Sequence, residues 1–121
     1  MRYSLHDNPT VFGKILRHEI PANIVYENEH VLAFHSIHPQ APVHIIIIPK
    51  QHLTGLQDAQ PADTNLLGHL LTAVPEIAKT VGVLERGFRI ISNAGPDAGQ
   101  EVPHLHLHLL GGKKLGAKIV G

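Results

Sequence analysis

Apolar positions along the chain follow two periods. From His104 to Leu109, histidine and leucine alternate without a break. A period of two belongs to a β-strand, so a strand is predicted over Leu105–Leu110, with imidazoles on one face and leucines on the other. Ile45-Ile46-Ile47-Ile48 is a continuous apolar run closed by Pro49, which predicts a buried strand from His44 to Ile48. Ile24–Glu27 and His30–Phe34 read as shorter strands joined by a tight turn at Asn28-Glu29, and Phe88–Ser92 as a further strand. The helical period occurs twice. Phe12, Ile15 and Leu16 share one face of a helix running from Val11 to Ile20 and stopped by Pro21. Leu67, Leu70, Leu71, Val74, Ile77 and Val81 mark a longer amphipathic helix from Pro61 to Val81, ended by Gly82. Pro75 lies inside it and deletes one backbone bond, so it should kink or split the helix. Ser36–Val43, with Pro39 and Pro42, and the glycine-rich Asn93–Val102 are loops. The sum is an α+β domain, a mostly antiparallel sheet of about five strands with two helices packed on it. One domain spans residues 1–121, with a core over 9–112 and a short tail at each end.

Composition narrows the function classes. The chain has 121 residues, of which 43% are hydrophobic, so one domain with a real core can form. Ten Lys+Arg against ten Asp+Glu give zero formal charge, which argues against a basic groove for nucleic acid. Cysteine is absent, which excludes disulfide scaffolds, thiolate zinc sites and cysteine nucleophiles. No apolar run approaches the roughly 18–20 residues of a membrane span, and residues 1–9 lack the apolar core of a signal peptide. The expectation is a cytoplasmic protein with no membrane partner. Histidine is the anomaly, with 11 in the chain. Such a density points to proton, phosphoryl or metal chemistry, or to a charge change near pH 6.

The histidines of the 104–109 segment carry the chemistry. On a strand, same-face neighbours lie about 6.5–7 Å apart, so His104, His106 and His108 form a row. Leu105, Leu107 and Leu109 account for burial on the other face, and a packed core has no use for three imidazoles in register. A solvated face that happens to be histidine is the bland alternative. Two sharper ones remain. A histidine pair two apart on a strand is a zinc-chelating arrangement, which a third imidazole could complete. Alternatively the row is a metal-free phosphate site in which one imidazole attacks phosphorus while its neighbours orient it and handle protons. Asn93-Ala94-Gly95 and Ala98-Gly99-Gln100 offer backbone N–H groups to an anion, which suits the second. No neighbouring carboxylate is evident to complete or orient a metal site, since Asp97 and Glu101 lie in the loop.

His104-Leu105-His106-Leu107-His108-Leu109-Leu110 resembles the histidine-triad (HIT) pattern His-φ-His-φ-His-φ-φ, where φ is apolar. Phe12-Gly13-Lys14-Ile15, Glu19-Ile20-Pro21-Ala22, Pro39-Gln40-Ala41-Pro42, Ile48-Pro49-Lys50, Gly99-Gln100 and Leu110-Gly111-Gly112 are similar to the nucleotide-binding (HINT) branch. The resemblance covers residues 9–112. It implies hydrolysis of purine nucleoside phosphoramidates, such as adenylates joined to an amine. It also implies a homodimer whose sheets join into ten strands, and no cofactor or metal. By position, His106 is the nucleophile that forms a nucleotidyl-imidazole, and His104 holds its tautomer through a backbone carbonyl. His108 contacts the phosphate and leaving-group side, and His44 is the family's additional histidine. Val11, Phe12, Ile15, Phe34, His35, Ser36 and Ile37 fall at positions around base and sugar. Asn93, Gly99, Gln100 and Glu101 fall on the phosphate side.

Two positions depart from the pattern. Ser36 stands where better-known members carry an acidic residue that holds the ribose hydroxyls. Glu101 stands where some have a phosphate-donating serine, which leaves only its backbone N–H for that role. The tail after Gly112, ending Lys118-Ile119-Val120-Gly121, is where the family varies and where leaving-group preference could be set. Dinucleoside polyphosphate hydrolysis and purine-nucleotide binding with little turnover are the alternative functions, because the triad serves all three.

Overall fold

The computed structural model describes residues 2–117; the tail segment 118–121 lies outside them. Three α-helices and five strands are present: α1 (Val11–Leu16), β1 (Ile24–Glu27), β2 (Val31–His35), β3 (Val43–Pro49), α2 (Thr64–Thr72), α3 (Val74–Thr80), β4 (Phe88–Ile91) and β5 (Leu107–Gly111). The strands form one antiparallel sheet in the order β1-β2-β3-β5-β4, so β5 inserts between β3 and β4 after the helical crossover.

The long helix expected from Pro61 to Val81 is split, as its internal proline requires. A 3₁₀ turn over Pro61–Asp63 leads into α2, and α3 restarts after Ala73 with Pro75 in its first turn, where a missing N–H costs nothing. Their apolar stripe, Leu70, Val74 and Ile77, packs on Val31, Ile45, Ile47, Leu105, Leu107 and Leu109. The leucine half of the alternating segment thus lies in the core under the helices.

Three expected boundaries are corrected. Helix α1 ends at Leu16, four residues before Ile20. His18 adopts φ 62°, His18 N–H donates to Ile15 O at 3.0 Å, and Glu19 N–H donates to Lys14 O at 2.8 Å. That is a Schellman termination, in which the left-handed position is filled by histidine rather than the usual glycine. Strand β5 begins at Leu107, so His104 and His106 precede it, although alternate side chains still face opposite ways. Residues 2–8, a short tail by expectation, are tied to the domain. Arg2 pairs with Asp63 at 2.7 Å, and Asn8 is fully buried. The single glycine within α1 has a steric reason: a Cβ on Gly13 would stand 2.4 Å from Asn8 O and 2.6 Å from Asn8 Cγ.

Candidate active site

The second face of the sheet carries a smaller apolar cluster, Phe12, Ile15, Leu32, Phe34, Ile46 and Ile48. Helix α1 lies over it, and His44, His104 and His106 are buried beside it. Strand register brings the imidazoles together: His108 on β5 pairs with Ile46 on β3, which makes His44 its diagonal neighbour.

Backbone groups fix the tautomer of each buried ring. His104 Nε2 meets Pro49 O at 2.9 Å, and a carbonyl can only accept, so Nε2 carries the hydrogen. Its Nδ1 then accepts from Asn8 Nδ2 at 2.9 Å, and Asn8 Oδ1 is held by Thr10 N–H at 3.1 Å. His106 Nδ1 lies 2.8 Å from His104 O, so it is the donor and the lone pair stands on Nε2. On the other side, Gln40 N–H donates to His44 Nδ1 at 3.0 Å. His44 Nε2–H therefore donates to His108 Nδ1 at 2.9 Å, leaving the hydrogen of His108 on Nε2. Next to one another stand a lone pair on His106 and an N–H on His108, their rings 5.1 Å apart. That arrangement can serve chemically as a nucleophile beside an oxyanion donor.

Burial favours these neutral forms. It pushes the His104 and His108 imidazoles down to about 4, and neighbouring histidines add to the effect in both. His44 is lowered by burial alone. His106 is also lowered by burial, opposed by its bond to the His104 carbonyl and by the Glu101 carboxylate.

Both His106 and His108 line a cavity of about 850 Å³. Val11, Phe12, Ile15 and Phe34 form its apolar wall, and His35, Ser36, Ile37 and His44 line it from β2, β3 and the loop between them. Asn93, Gly99 and Glu101 complete it from the loop after β4. His104 acts from beneath, outside the lining.

The phosphate-side loop differs from expectation. Gln100 does not line the cavity: its Oε1 accepts Gly95 N–H at 2.9 Å and its Nε2 donates to Thr54 O at 2.7 Å. The N–H groups of Gly95, Gly99 and Gln100 are all spent within the loop or on its glutamine, so they form no anion nest. Ile20, Pro21, Ala22 and Gln40, which the sequence offered only as motif residues, also line the cavity, as do Asn23 and His38. Asn8 escapes notice as the partner of His104. An asparagine in a polar N-terminal stretch carries no signal of burial; the glycine at 13, which makes room for it, is the nearest clue.

This chain belongs to the HIT-domain family, whose match covers residues 17–115. It is 50% identical over 113 residues to a maize protein named 14 kDa zinc-binding protein, covering 92% of this chain and 88% of that one. It is 48% identical over 111 residues to adenylylsulfatase HINT1 of Arabidopsis thaliana, covering 90% and 75%. A HIT family hydrolase from Clostridium thermocellum superposes with a TM-score of 0.89 at 43% identity, covering 93% and 97%.

The donor set here does not fit a zinc ion. Both nitrogens of His104 and of His44 are committed to hydrogen bonds, and His106 and His108 each direct only Nε2 to the cavity. Among the described residues, no three His, Cys, Asp or Glu side chains converge as ligands.

Proposed function

We propose that this HIT-family chain is a nucleotide hydrolase that cleaves the P–N bond of purine nucleoside phosphoramidates. The carrying observation is the lone pair of His106 Nε2, fixed through the 2.8 Å bond from Nδ1–H to His104 O, beside the N–H of His108. Base and sugar fit the apolar wall of Val11, Phe12, Ile15 and Phe34. The phosphoryl group then meets the two imidazoles. His106 Nε2 attacks phosphorus, and the P–N electron pair goes to nitrogen, which takes a proton from water and leaves as the amine. The nucleotidyl-imidazolium keeps its Nδ1–H on the His104 carbonyl, which stabilises the positive charge. Water then attacks phosphorus, the P–Nε2 electrons return to the ring, and the proton consumed in the first step is released. His108 Nε2–H donates to the phosphoryl oxygen in both steps.

His108 serves as a donor rather than a proton acceptor. The Gln40 N–H occupies the far end of the His44–His108 pair, so an added proton has no lone pair to take without breaking that bond.

The reading includes a cytoplasmic homodimer. No helix of the described residues is long and apolar enough to cross a membrane. Leu71 on α2 is 56% exposed, and among the described residues β1 and β4 are unpaired edges of the sheet. Sedimentation at micromolar concentration giving the mass of one chain contradicts the dimer.

Turnover of an adenosine phosphoramidate, adenylyl sulfate and diadenosine triphosphate by the purified protein tests the activity. The phosphoramidate should give the highest kcat/KM, unaffected by EDTA. A higher value for either of the others, or loss with EDTA and recovery with zinc, overturns the reading.

A further inference from the structure

Among the described residues lining the cavity, no lysine or arginine is available to an anionic phosphoryl group. Among the described residues lining it there is one formally charged side chain, and it is negative: Glu101. Its carboxylate makes no hydrogen bond or ion pair with any other described residue, and its field reaches the His106 imidazole, which it favours in the charged form. A carboxylate facing a phosphoryl anion repels it, which gives Glu101 no sensible part in holding phosphate.

Its position suggests another part. Glu101 lies on the border between the cavity and a second, shallower hollow of about 350 Å³, lined by Pro9, Thr10, Val11, Val102 and Pro103 as well. Val11, Glu101 and Val102 line both spaces, so the two are contiguous. With the nucleoside on the apolar wall and phosphorus at His106 and His108, the group attached to phosphorus can continue past Glu101 into the hollow. The hollow offers it two prolines and two valines, a surface for an aliphatic chain, and one negative charge at the entrance. Thr10 is anchored through its hydroxyl to Asn8 Oδ1 at 2.8 Å and to Gly13 N–H at 3.1 Å, so this wall is fixed by the same residues that orient His104.

We infer that this hollow is the leaving-group subsite and that Glu101 selects leaving groups bearing a positive charge, such as the monoamide of a diamine, over neutral or anionic ones. The inference rests on the proposed P–N hydrolysis for its chemistry, but the charge preference is a binding property and can be measured apart from turnover. It also separates this chain from a sulfatase reading, because a sulfate leaving group is driven off by the same carboxylate.

Two pairs of probes test it. The first pair is the 3-aminopropyl and butyl phosphoramidates of AMP, equal in length and differing by one ammonium. The second is the matching pair of non-hydrolysable 5′-carbamates of adenosine, whose affinities are read by calorimetry. The wild type should prefer the ammonium-bearing member of each pair by about tenfold at low salt, with the preference shrinking as salt screens it. Glu101→Gln should bring both ratios within twofold of one, and Glu101→Lys should invert them. Because each result is a ratio, a general effect of the substitution on the fold cancels. Equal treatment of the pair by the wild type, or a preference that survives in Glu101→Gln, overturns the inference. A carbamate preference without phosphoramidate turnover leaves the subsite standing and removes the proposed activity; turnover without preference does the reverse.

Discussion

The two faces of this one sheet are built on different terms. Towards α2 and α3, the buried side chains are Val31, Ile45, Ile47, Leu105, Leu107 and Leu109, and the helices answer with Leu70, Val74 and Ile77. Towards α1, a thinner apolar layer shares the interior with Asn8, His44, His104 and His106. Burying a polar atom without a partner costs roughly 1–3 kcal/mol. Among the described residues no buried side-chain nitrogen or oxygen is left without one. One face is therefore stabilised by area, which is tolerant of detail. The other is held by directed bonds, each of which also assigns a proton. The proposed site sits on the face where the geometry is specified atom by atom.

Substitutions at adjacent positions, one on each face, should separate these terms. His106→Ala should lower kcat by about 10⁴-fold or more, equivalent to roughly 5.5 kcal/mol, while nucleotide binding persists. Retention of more than about a tenth of wild-type kcat refutes the nucleophile assignment. Its neighbour Leu107 is buried on the opposite face. Leu107→Ala should cost about 2–5 kcal/mol of stability by urea denaturation, with kcat of the folded protein within about threefold of wild type. Matching losses in stability and kcat from both variants would erase the distinction.

The histidine face should also reveal itself through pH. His104 is held neutral, with its folded pKa at about 4, below the unfolded value near 6.5. Between those values the unfolded chain binds a proton that the folded one refuses, so stability rises with pH across this window and falls as pH drops through it. His104 alone should account for a loss of roughly 2–3 kcal/mol between pH 7 and pH 4.5. Denaturation midpoints that stay level down to pH 4.5 contradict the neutral, buried assignment.

A smaller effect is expected at the rim. Ser36 Oγ accepts the N–H of His38 at 3.2 Å, which leaves one hydrogen and one lone pair for the sugar. A carboxylate could accept from both ribose hydroxyls through stronger, charge-assisted bonds. Ser36→Asp should raise the kcat/KM ratio of adenosine over 2′-deoxyadenosine phosphoramidate by roughly tenfold, the equivalent of about 1.4 kcal/mol. An unchanged ratio, within twofold, assigns the ribose contact to another group.

Much of this contrast was legible in the alternation of residues 104–109, because a period of two separates faces whatever covers them. The strands and the proline-split helix followed from the same local physics. What stayed hidden depends on partners distant in sequence. The burial of the imidazoles depends on Phe12, whose ring centroid lies 5.1 Å from that of His106, and on Asn8 reaching His104. The early end of α1 escaped notice because histidine, not glycine, takes the left-handed position at 18. The glycine-rich loop read as a set of free N–H donors, yet Gln100 gathers it inward from the side. Composition shows which groups a loop offers, and only closure shows which are already taken.

In the proposed reaction, His106 Nε2 forms a covalent bond to phosphorus. Acid-sparing rapid quench of the protein with an adenosine phosphoramidate, followed by peptide mass spectrometry, tests it directly. An adenylyl adduct is expected on His106 within the first turnover, absent from His106→Ala. An adduct on His104 or His108, or turnover at wild-type rate with no adduct on any histidine at the earliest times, would contradict it.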